Sequence, residues 1–253
     1  MKDTAGREVG VGPRCARDQP LSAALIELRS ASVRFGAKTA LAGVDLAVCR
    51  GERIALVGAN GSGKSTLLRA AHGLVPLAEG ERIVGDGSPR VAMVFQRPFM
   101  LRLSLLANIE LGLLLQGVPR AQRRERALHS LQRVGLAAEA KRNARVLSAG
   151  QQQRAALARA WTLGPDVLLL DEPTASLDPT AKREVESLIA EFAAQGMTVL
   201  MSSHNLGQVK RLASRVLYLE HGRVLADVPT DEFFGGPLPA EAALFLKGEL
   251  PWT

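Results

Sequence analysis

Hydrophobic and polar positions repeat with different periods along the chain. Val44, Leu46 and Val48 alternate with Asp45 and Ala47, and this period of two predicts a half-buried strand. The sequence is strand-like from residue 25 onward. Short apolar runs predict buried strands at residues 53–57 and 167–170 and further strands at 91–95 and 198–201.

Helical patterns lie between these strands, at residues 64–72, 150–163 and 179–194. The last of these has Pro179 near its start, where the missing N–H costs nothing. Residues 104–134 are rich in Leu, Arg, Gln and Ala, and Gly117 and Pro119 break them into two helical pieces. Strands that alternate with helices predict an α/β fold with a mostly parallel sheet, here with a helical insert.

The chain divides into three parts by composition. Residues 1–24 are polar and contain several glycines and prolines, so we expect a flexible leader rather than a signal peptide. Residues 25–234 form one predicted domain, with the helical insert at about 101–160, and residues 235–253 form a C-terminal tail. The most apolar stretch, residues 101–115, is interrupted by charged and polar residues and predicts no membrane span.

Composition and charge exclude few classes of protein. The 253 residues are 47% hydrophobic and 23% charged, which is typical of a globular protein that buries a sizeable core. The formal net charge of +7 suits an anionic partner, either nucleic acid or the inner surface of a membrane, but it also serves solubility alone. Cys15 and Cys49 have no spacing typical of a zinc site.

A glycine-rich loop joins the strand at 53–57 to the helix at 64–72. It reads GANGSGKS and fits the phosphate-binding pattern G-x-x-x-x-G-K-[ST]. Its glycines let backbone N–H groups surround phosphate oxygens at a helix N-terminus, Lys64 would reach the β- and γ-phosphates, and Ser65 would bind Mg²⁺. The predicted nucleotide-binding residues of this segment are Gly58, Ala59, Asn60, Gly61, Ser62, Gly63, Lys64, Ser65 and Thr66.

Two acids follow the buried strand at 167–170. Asp171 and Glu172 precede Pro173, so the strand delivers both carboxylates to the edge of the sheet where ligands of open α/β folds bind. Asp171 would hold Mg²⁺ through water, and Glu172 would act as the general base for the attacking water. The alternative is that these residues only begin a turn.

The segment LSAGQQQR begins at Leu147 and resembles the LSGGQ signature of the nucleotide-binding subunits of ABC transporters. In that family the segment caps a helix and faces the γ-phosphate of ATP held by a second subunit, a role that would fall here to Ser148, Ala149, Gly150 and Gln151. Ala149 departs from the family, which usually has glycine there. We expect its methyl group to crowd the phosphate or to forbid a positive φ.

Four more positions match this family one by one. Gln96, in VFQRP, would sense Mg²⁺, and His204, in SSHN, would contact the γ-phosphate and join Lys64 and Glu172 as a catalytic residue. Asp178, in SLD, would contact the second subunit, and Phe35 would stack on adenine. The alternatives are a polar turn residue, a structural histidine, a helix start and a strand core residue, respectively.

The resemblance implies a P-loop NTPase of the ABC ATPase fold: a mostly parallel core sheet, an antiparallel β-subdomain and an inserted helical subdomain. It implies ATP and Mg²⁺ as cofactors, with Ser65, Gln96 and Asp171 as metal ligands. The implied partners are a second copy of the chain, transmembrane permease subunits, which would dock on residues 101–145, and a periplasmic or extracellular substrate-binding protein. No nucleic acid partner is implied, and the expected location is the cytoplasmic face of the membrane.

Several longer runs resemble the ATPases of bacterial tungstate importers, among them VFQRPFMLRLS, SSHNLGQVKRLA and DEFF with the later AEAALFLKGELPW. We therefore expect an oxyanion importer, with tungstate as the first choice. Phosphate, molybdate and polar amino acids stay open as cargo, and an exporter is a further alternative. A non-transport ABC ATPase of translation or DNA repair is the alternative from a different class.

Overall fold

The computed structural model of the chain describes residues 24–248. The predicted leader, apart from its last residue, lies outside the described residues, as does the end of the predicted tail. Within residues 24–248 the chain forms nine strands and eight α-helices. None of these helices is long and apolar enough to cross a bilayer.

The larger sheet is mostly parallel. Its order is β5-β6-β7-β3-β8-β9, and only β9 runs antiparallel to its neighbour. Its strands are β3 Arg53–Val57, β5 Val91–Val94, β6 Val167–Asp171, β7 Thr198–Ser202, β8 Arg215–Glu220 and β9 Arg223–Pro229. The four apolar runs of the sequence form β3, β5, β6 and β7 of this sheet, with β5 at its edge. The predicted fold class is confirmed.

A smaller antiparallel sheet packs on one side of the larger one. Its order is β2-β1-β4, with β1 Ala24–Phe35, β2 Lys38–Cys49 and β4 Glu79–Val84. Val44, Leu46 and Val48 of β2 are buried on the face that covers the core, as the period of two predicts. Ala47 and Cys49 are buried as well, in a separate small cluster, so this end of the strand is not half-buried as expected. The smaller sheet is the antiparallel β-subdomain that the resemblance implies.

The first five helices occupy the predicted places, and the last three were not predicted. They are α1 Lys64–His72, α2 Leu105–Leu115, α3 Arg120–Arg133, α4 Ala149–Thr162, α5 Pro179–Ala194, α6 Leu206–Leu212, α7 Thr230–Gly235 and α8 Ala240–Lys247. Gly117, at φ 75°, and Pro119, which precedes α3, separate α2 from α3. α7 spans the point where the sequence suggests that the tail begins, and α8 buries Ala242 in the main core.

The larger sheet separates two apolar clusters because successive residues of a strand point to opposite faces. In β6, Leu168 and Leu170 join the cluster that contains the helical insert, and Leu169 joins the cluster under the smaller sheet. All five residues of β6 are buried. The sheet is therefore covered on both faces, which holds it rigid, and functional side chains can be placed at its carboxyl edge.

One cation links the helical insert to the rest of the core. The guanidinium of Arg133, at the end of α3, lies 4.7 Å from the ring centroid of Trp161 and 5.8 Å from that of Phe192. The two rings stack at 5.9 Å, and Arg133 also pairs with Glu191. The contact joins α3, α4 and α5.

A buried ionic cluster fastens the smaller sheet to the larger one. Arg215 donates to both carboxylate oxygens of Asp227 at 2.6 Å, to Glu52 at 3.2 Å and to the carbonyl oxygen of Ala47 at 3.0 Å. All three charged side chains are at most 6% exposed. Arg215 therefore holds together β8, β9 and the turn between β2 and β3.

We predict that Arg215→Met lowers the free energy of unfolding by about 3–5 kcal/mol, because it leaves two buried carboxylates without this cation. Urea denaturation measures the change. The matched control is Arg34→Met, which removes an ion pair with Glu79 whose side chains are 54% and 60% exposed, and which should cost less than about 1 kcal/mol. Equal effects of the two substitutions would contradict this account of the cluster.

Candidate nucleotide-binding site

The loop between β3 and α1 needs glycine for two separate reasons. Gly58, Gly61 and Gly63 have φ values of 143°, 80° and 110°, which side chains rarely adopt. Space excludes a side chain as well, since a Cβ on Gly58 would lie 2.1 Å from the carbonyl oxygen of Leu219 and one on Gly63 would lie 2.8 Å from that of Ala40. The backbone can make this turn only with glycine at 58 and 63.

The start of α1 is suited to an anion. Gly63 precedes the helix and provides no capping side chain, and the first turn contains no acid. Its first N–H groups therefore have no side-chain cap from residues 24–248, and they carry the positive end of the helix dipole. Ser62, whose buried hydroxyl has no hydrogen-bond partner among the described residues, belongs to the same loop.

Lys64 points into the loop that precedes it. It is only 5% exposed, and its Nζ donates to the carbonyl oxygens of Gly58 at 2.8 Å and Ala59 at 3.0 Å. Burial lowers the pKa of Lys64, and the carboxylates of Glu172 and Asp171 oppose that shift. An ammonium has three donors, so one remains beyond these two carbonyls for a phosphate oxygen.

Asp171 lies where the sequence predicts, at the carboxyl end of β6. Its Oδ1 accepts hydrogen bonds from the hydroxyls of Ser65 and Ser202, both at 2.8 Å. A carboxylate and a hydroxyl side by side are the hard oxygen donors that Mg²⁺ prefers. These residues fit the metal that the sequence implies.

Glu172 and His204 face each other on adjacent loops. Glu172 Oε2 lies 3.1 Å from His204 Nδ1, and the side chains are 15% and 55% exposed. Glu172 has a φ of 44°, an unfavourable region for a residue with a side chain. Such strain persists only where neighbours hold it, and functional sites are where it concentrates.

Sequence reasoning missed Ser202. This serine ends β7 directly opposite Asp171 in the parallel register, and its hydroxyl also accepts the backbone N–H of Glu172 at 2.9 Å. The available signal was the polar SSHN after an apolar strand, which was used only for His204. Ser65, Asp171, Glu172, Ser202 and His204 thus form one connected group with Lys64 beside it.

The segment Ser148–Gln151 begins α4 with a capping box. Ser148 Oγ accepts the N–H of Gln151 at 3.2 Å, and Gln151 Oε1 accepts the N–H of Ser148 at 3.0 Å. Ala149 is the first residue of the helix and is exposed, and it is not among the residues with positive φ. The concern over its backbone does not hold, since the position that needs glycine is Gly150, where a Cβ would lie 2.7 Å from the Cβ of Ala181.

The remaining predicted residues lie around this group. Phe35, at the end of β1, is 51% exposed and so is not a core residue. Gln96 is exposed just after β5, at the same sheet edge as Asp171. Asp178 caps α5 by accepting the N–H groups of Thr180 and Ala181 at 2.9 and 3.0 Å, so the helix-start alternative applies to this residue. Asn60 and Thr66 complete the loop and the first turn of α1.

No hydrogen bond within residues 24–248 joins the segment Ser148–Gln151 to the loop Gly58–Ser65.

A phosphate loop, a hydroxyl–carboxylate pair and a glutamate–histidine pair at the carboxyl edge of a parallel sheet define an ATP-binding hydrolase of the α/β class. Comparison with known proteins gives the family. The family model for ABC transporters matches residues 41–175, and the chain belongs to this family as an ATP-binding subunit.

Individual relatives agree with this assignment. The glutamate/aspartate import ATP-binding protein GltL of Escherichia coli K12 is 37% identical over 237 residues, which cover 88% of this chain and 98% of GltL. The glutamine transport ATP-binding protein GlnQ of Geobacillus stearothermophilus is 33% identical, over 84% of this chain and 94% of its own. Among solved structures, a dimeric ATP-binding cassette bound to ADP and Pi is similar, with a TM-score of 0.72 and 29% identity over 81% of this chain and 98% of that one.

Proposed function

We propose that this ABC ATPase drives an importer of polar amino acids and hydrolyses ATP between two copies of the chain. The observation that carries the proposal is the connected group of Ser65, Asp171, Glu172 and His204 beside a loop built for phosphate. The curated relatives supply the importer class and the cargo class. In this proposal the protein acts as a peripheral subunit on the cytoplasmic face of the membrane.

The proposed roles follow from the geometry. The loop N–H groups and Lys64 hold the β- and γ-phosphates, and the exposed ring of Phe35 stacks on adenine. Ser65, Asp171 and Gln96 hold Mg²⁺, which when bound neutralises charge on the phosphate oxygens. Glu172 accepts the proton of the attacking water, and His204, 3.1 Å from its carboxylate, fixes the orientation of that base and contacts the γ-phosphate.

Dimer formation would complete the site. The residues of the LSAGQ segment begin a helix whose dipole favours an anion, but within the chain this segment bonds to itself rather than to the phosphate loop. In the proposal Ser148, Ala149, Gly150 and Gln151 face the γ-phosphate held by the second copy, and Asp178 lies at the interface. The dimeric state of a similar cassette supports this arrangement.

A groove between α2 and α3 is the proposed docking surface for the permease. It encloses about 750 Å³ and has an apolar floor that includes Leu111 and Leu114. Three arginines line it, Arg120, Arg123 and Arg124, and their side chains form no hydrogen bond or ion pair with any described residue. Glu110 is the one acid among the lining residues. An amphipathic helix with carboxylates beside its apolar face fits this surface.

The cargo assignment rests on relatives, because an ATPase subunit need not touch what is transported. GltL and GlnQ serve glutamate, aspartate and glutamine, so the polar amino acid alternative fits better than the tungstate expectation. In the proposal a secreted substrate-binding protein delivers the amino acid to the permease.

Glu172→Gln tests the assignment of the base. We expect the variant to lose ATP hydrolysis by at least about 100-fold while it still binds ATP, because the amide keeps the shape and removes the proton acceptor. With hydrolysis blocked, ATP should hold two copies together as a dimer in gel filtration. A variant that remains monomeric at saturating ATP and hydrolyses it at the wild-type rate would contradict both the role of Glu172 as the base and the ATP-bound dimer.

Arg123→Glu tests the docking surface. We expect it to weaken co-purification with the permease partner by about tenfold or more, because it places a carboxylate where the partner presents one. The matched control is Arg126→Glu on the same helix, whose side chain bonds to Gln122 away from the groove. Equal effects of the two variants would mean that net charge, and not the groove, governs docking.

Proteoliposomes with the chain, its permease and its substrate-binding protein test the cargo. We expect radiolabelled glutamate or glutamine to accumulate inside with Mg²⁺-ATP outside, and Glu172→Gln to abolish the uptake. Tungstate, molybdate and phosphate serve as competitors and as labelled substrates in parallel. Uptake of tungstate without uptake of either amino acid would overturn the amino acid assignment.

A further inference from the structure

We propose that Ser202 is a positioning residue that holds Asp171 and Glu172 together in the geometry required for hydrolysis. The inference rests on the proposed roles of these two carboxylates. It adds a side chain that touches neither nucleotide nor metal and acts through both acids.

The sheet register brings Ser202 to this place. β6 and β7 are parallel neighbours, and Asp171 and Ser202 are directly opposite each other at their carboxyl ends. Ser202 is fully buried, so its hydroxyl can reach only polar groups in the gap between the two strands. Two such groups lie there, the carboxylate of Asp171 and the backbone N–H of Glu172.

A hydroxyl can serve both groups at once because it has one donor and two acceptor sites. Ser202 Oγ donates to Asp171 Oδ1 at 2.8 Å and accepts the N–H of Glu172 at 2.9 Å. Alanine, valine or any other apolar residue can do neither. This one atom therefore couples the orientation of the side chain of Asp171 to the backbone of Glu172.

The contact fixes the direction of the Asp171 carboxylate. Two hydroxyls, those of Ser65 and Ser202, donate to Oδ1, and Oδ2 accepts no hydrogen bond from residues 24–248. The hydroxyl of Ser65 is itself a proposed metal ligand, and it can bind Mg²⁺ through a lone pair while it still donates to Oδ1. Ser202 is the donor to Oδ1 that is not shared with the metal, and together the two hydroxyls leave Oδ2 free for a metal-bound water.

The same contact stabilises the unfavourable backbone of Glu172. At a φ of 44° this residue would relax toward the common regions if its N–H had no partner. Relaxation would rotate the side chain away from His204, whose Nδ1 is 3.1 Å from Oε2. Misplacement of a reacting group by about 1 Å can cost about 100-fold in rate.

The test compares Ser202→Thr with Ser202→Val, because the two side chains have the same shape and differ in the hydroxyl. We expect kcat of the valine variant to be about 10- to 100-fold below that of the threonine variant. A second readout is the Kd of ATP in EDTA and in Mg²⁺. The two variants should bind alike in EDTA, and only the valine variant should lose the gain from Mg²⁺.

Ser130→Ala is the control, since it removes a fully buried serine hydroxyl that bonds to the carbonyl oxygen of Ala127 inside α3. It should leave kcat and the Mg²⁺ response at wild-type values. If the threonine and valine variants do not fold, the comparison of Ser202→Ala with the wild type tests the hydroxyl without added atoms.

Equal kcat and equal Mg²⁺ response in the presence and absence of the hydroxyl would overturn the proposal, even if the melting temperature falls. The Glu172→Gln variant separates the two levels of the argument. If it is inactive and the Ser202 variants are normal, only the positioning role fails. If Glu172→Gln hydrolyses ATP normally, the proposed function itself fails.

Discussion

The parallel register of β6 with β7 is the constraint on which the candidate site depends. Because Asp171 and Ser202 end neighbouring strands at the same level, the carboxylate and the hydroxyl meet without any help from a flexible loop. Ser65 reaches the same carboxylate from the first turn of α1, and the backbone of Glu172 continues directly from β6. Three separate elements therefore converge on a few ångströms of sheet edge, and apolar packing on both faces of the sheet keeps that edge rigid.

Most of the fold could be predicted from short-range patterns. The apolar run before GANGSGKS and the helix after it have the bounds seen in the structure, and the breaks at Gly117 and Pro119 divide the insert as expected. β8, β9 and the helices α6 to α8 were not predicted. β4 was not predicted either, since its burial is only partial and gives no clear alternation. The order of the strands could not be predicted from the sequence either. The pairing of β3 with β7 and β8, for example, depends on long-range packing and not on the local alternation of apolar and polar residues.

The site residues could be named from motifs, but their contacts could not. Lys64, Asp171, Glu172 and His204 follow from spacing and resemblance, whereas the role of Ser202 depends on register. Ala149 illustrates the opposite error. A rule about glycine in a motif suggested strain, yet the backbone there is helical and the tight contact belongs to Gly150, against Ala181. Only the packing of α4 on α5 distinguishes these neighbouring positions.

The stack of Arg133 on Trp161 and Phe192 has a consequence for how the insert responds to its surroundings. The attraction of a guanidinium to an aromatic ring acts wherever the cation lies over the face within about 6 Å of the centroid. The joint between α3 and the core can therefore accommodate small sliding movements of the insert without losing this contact.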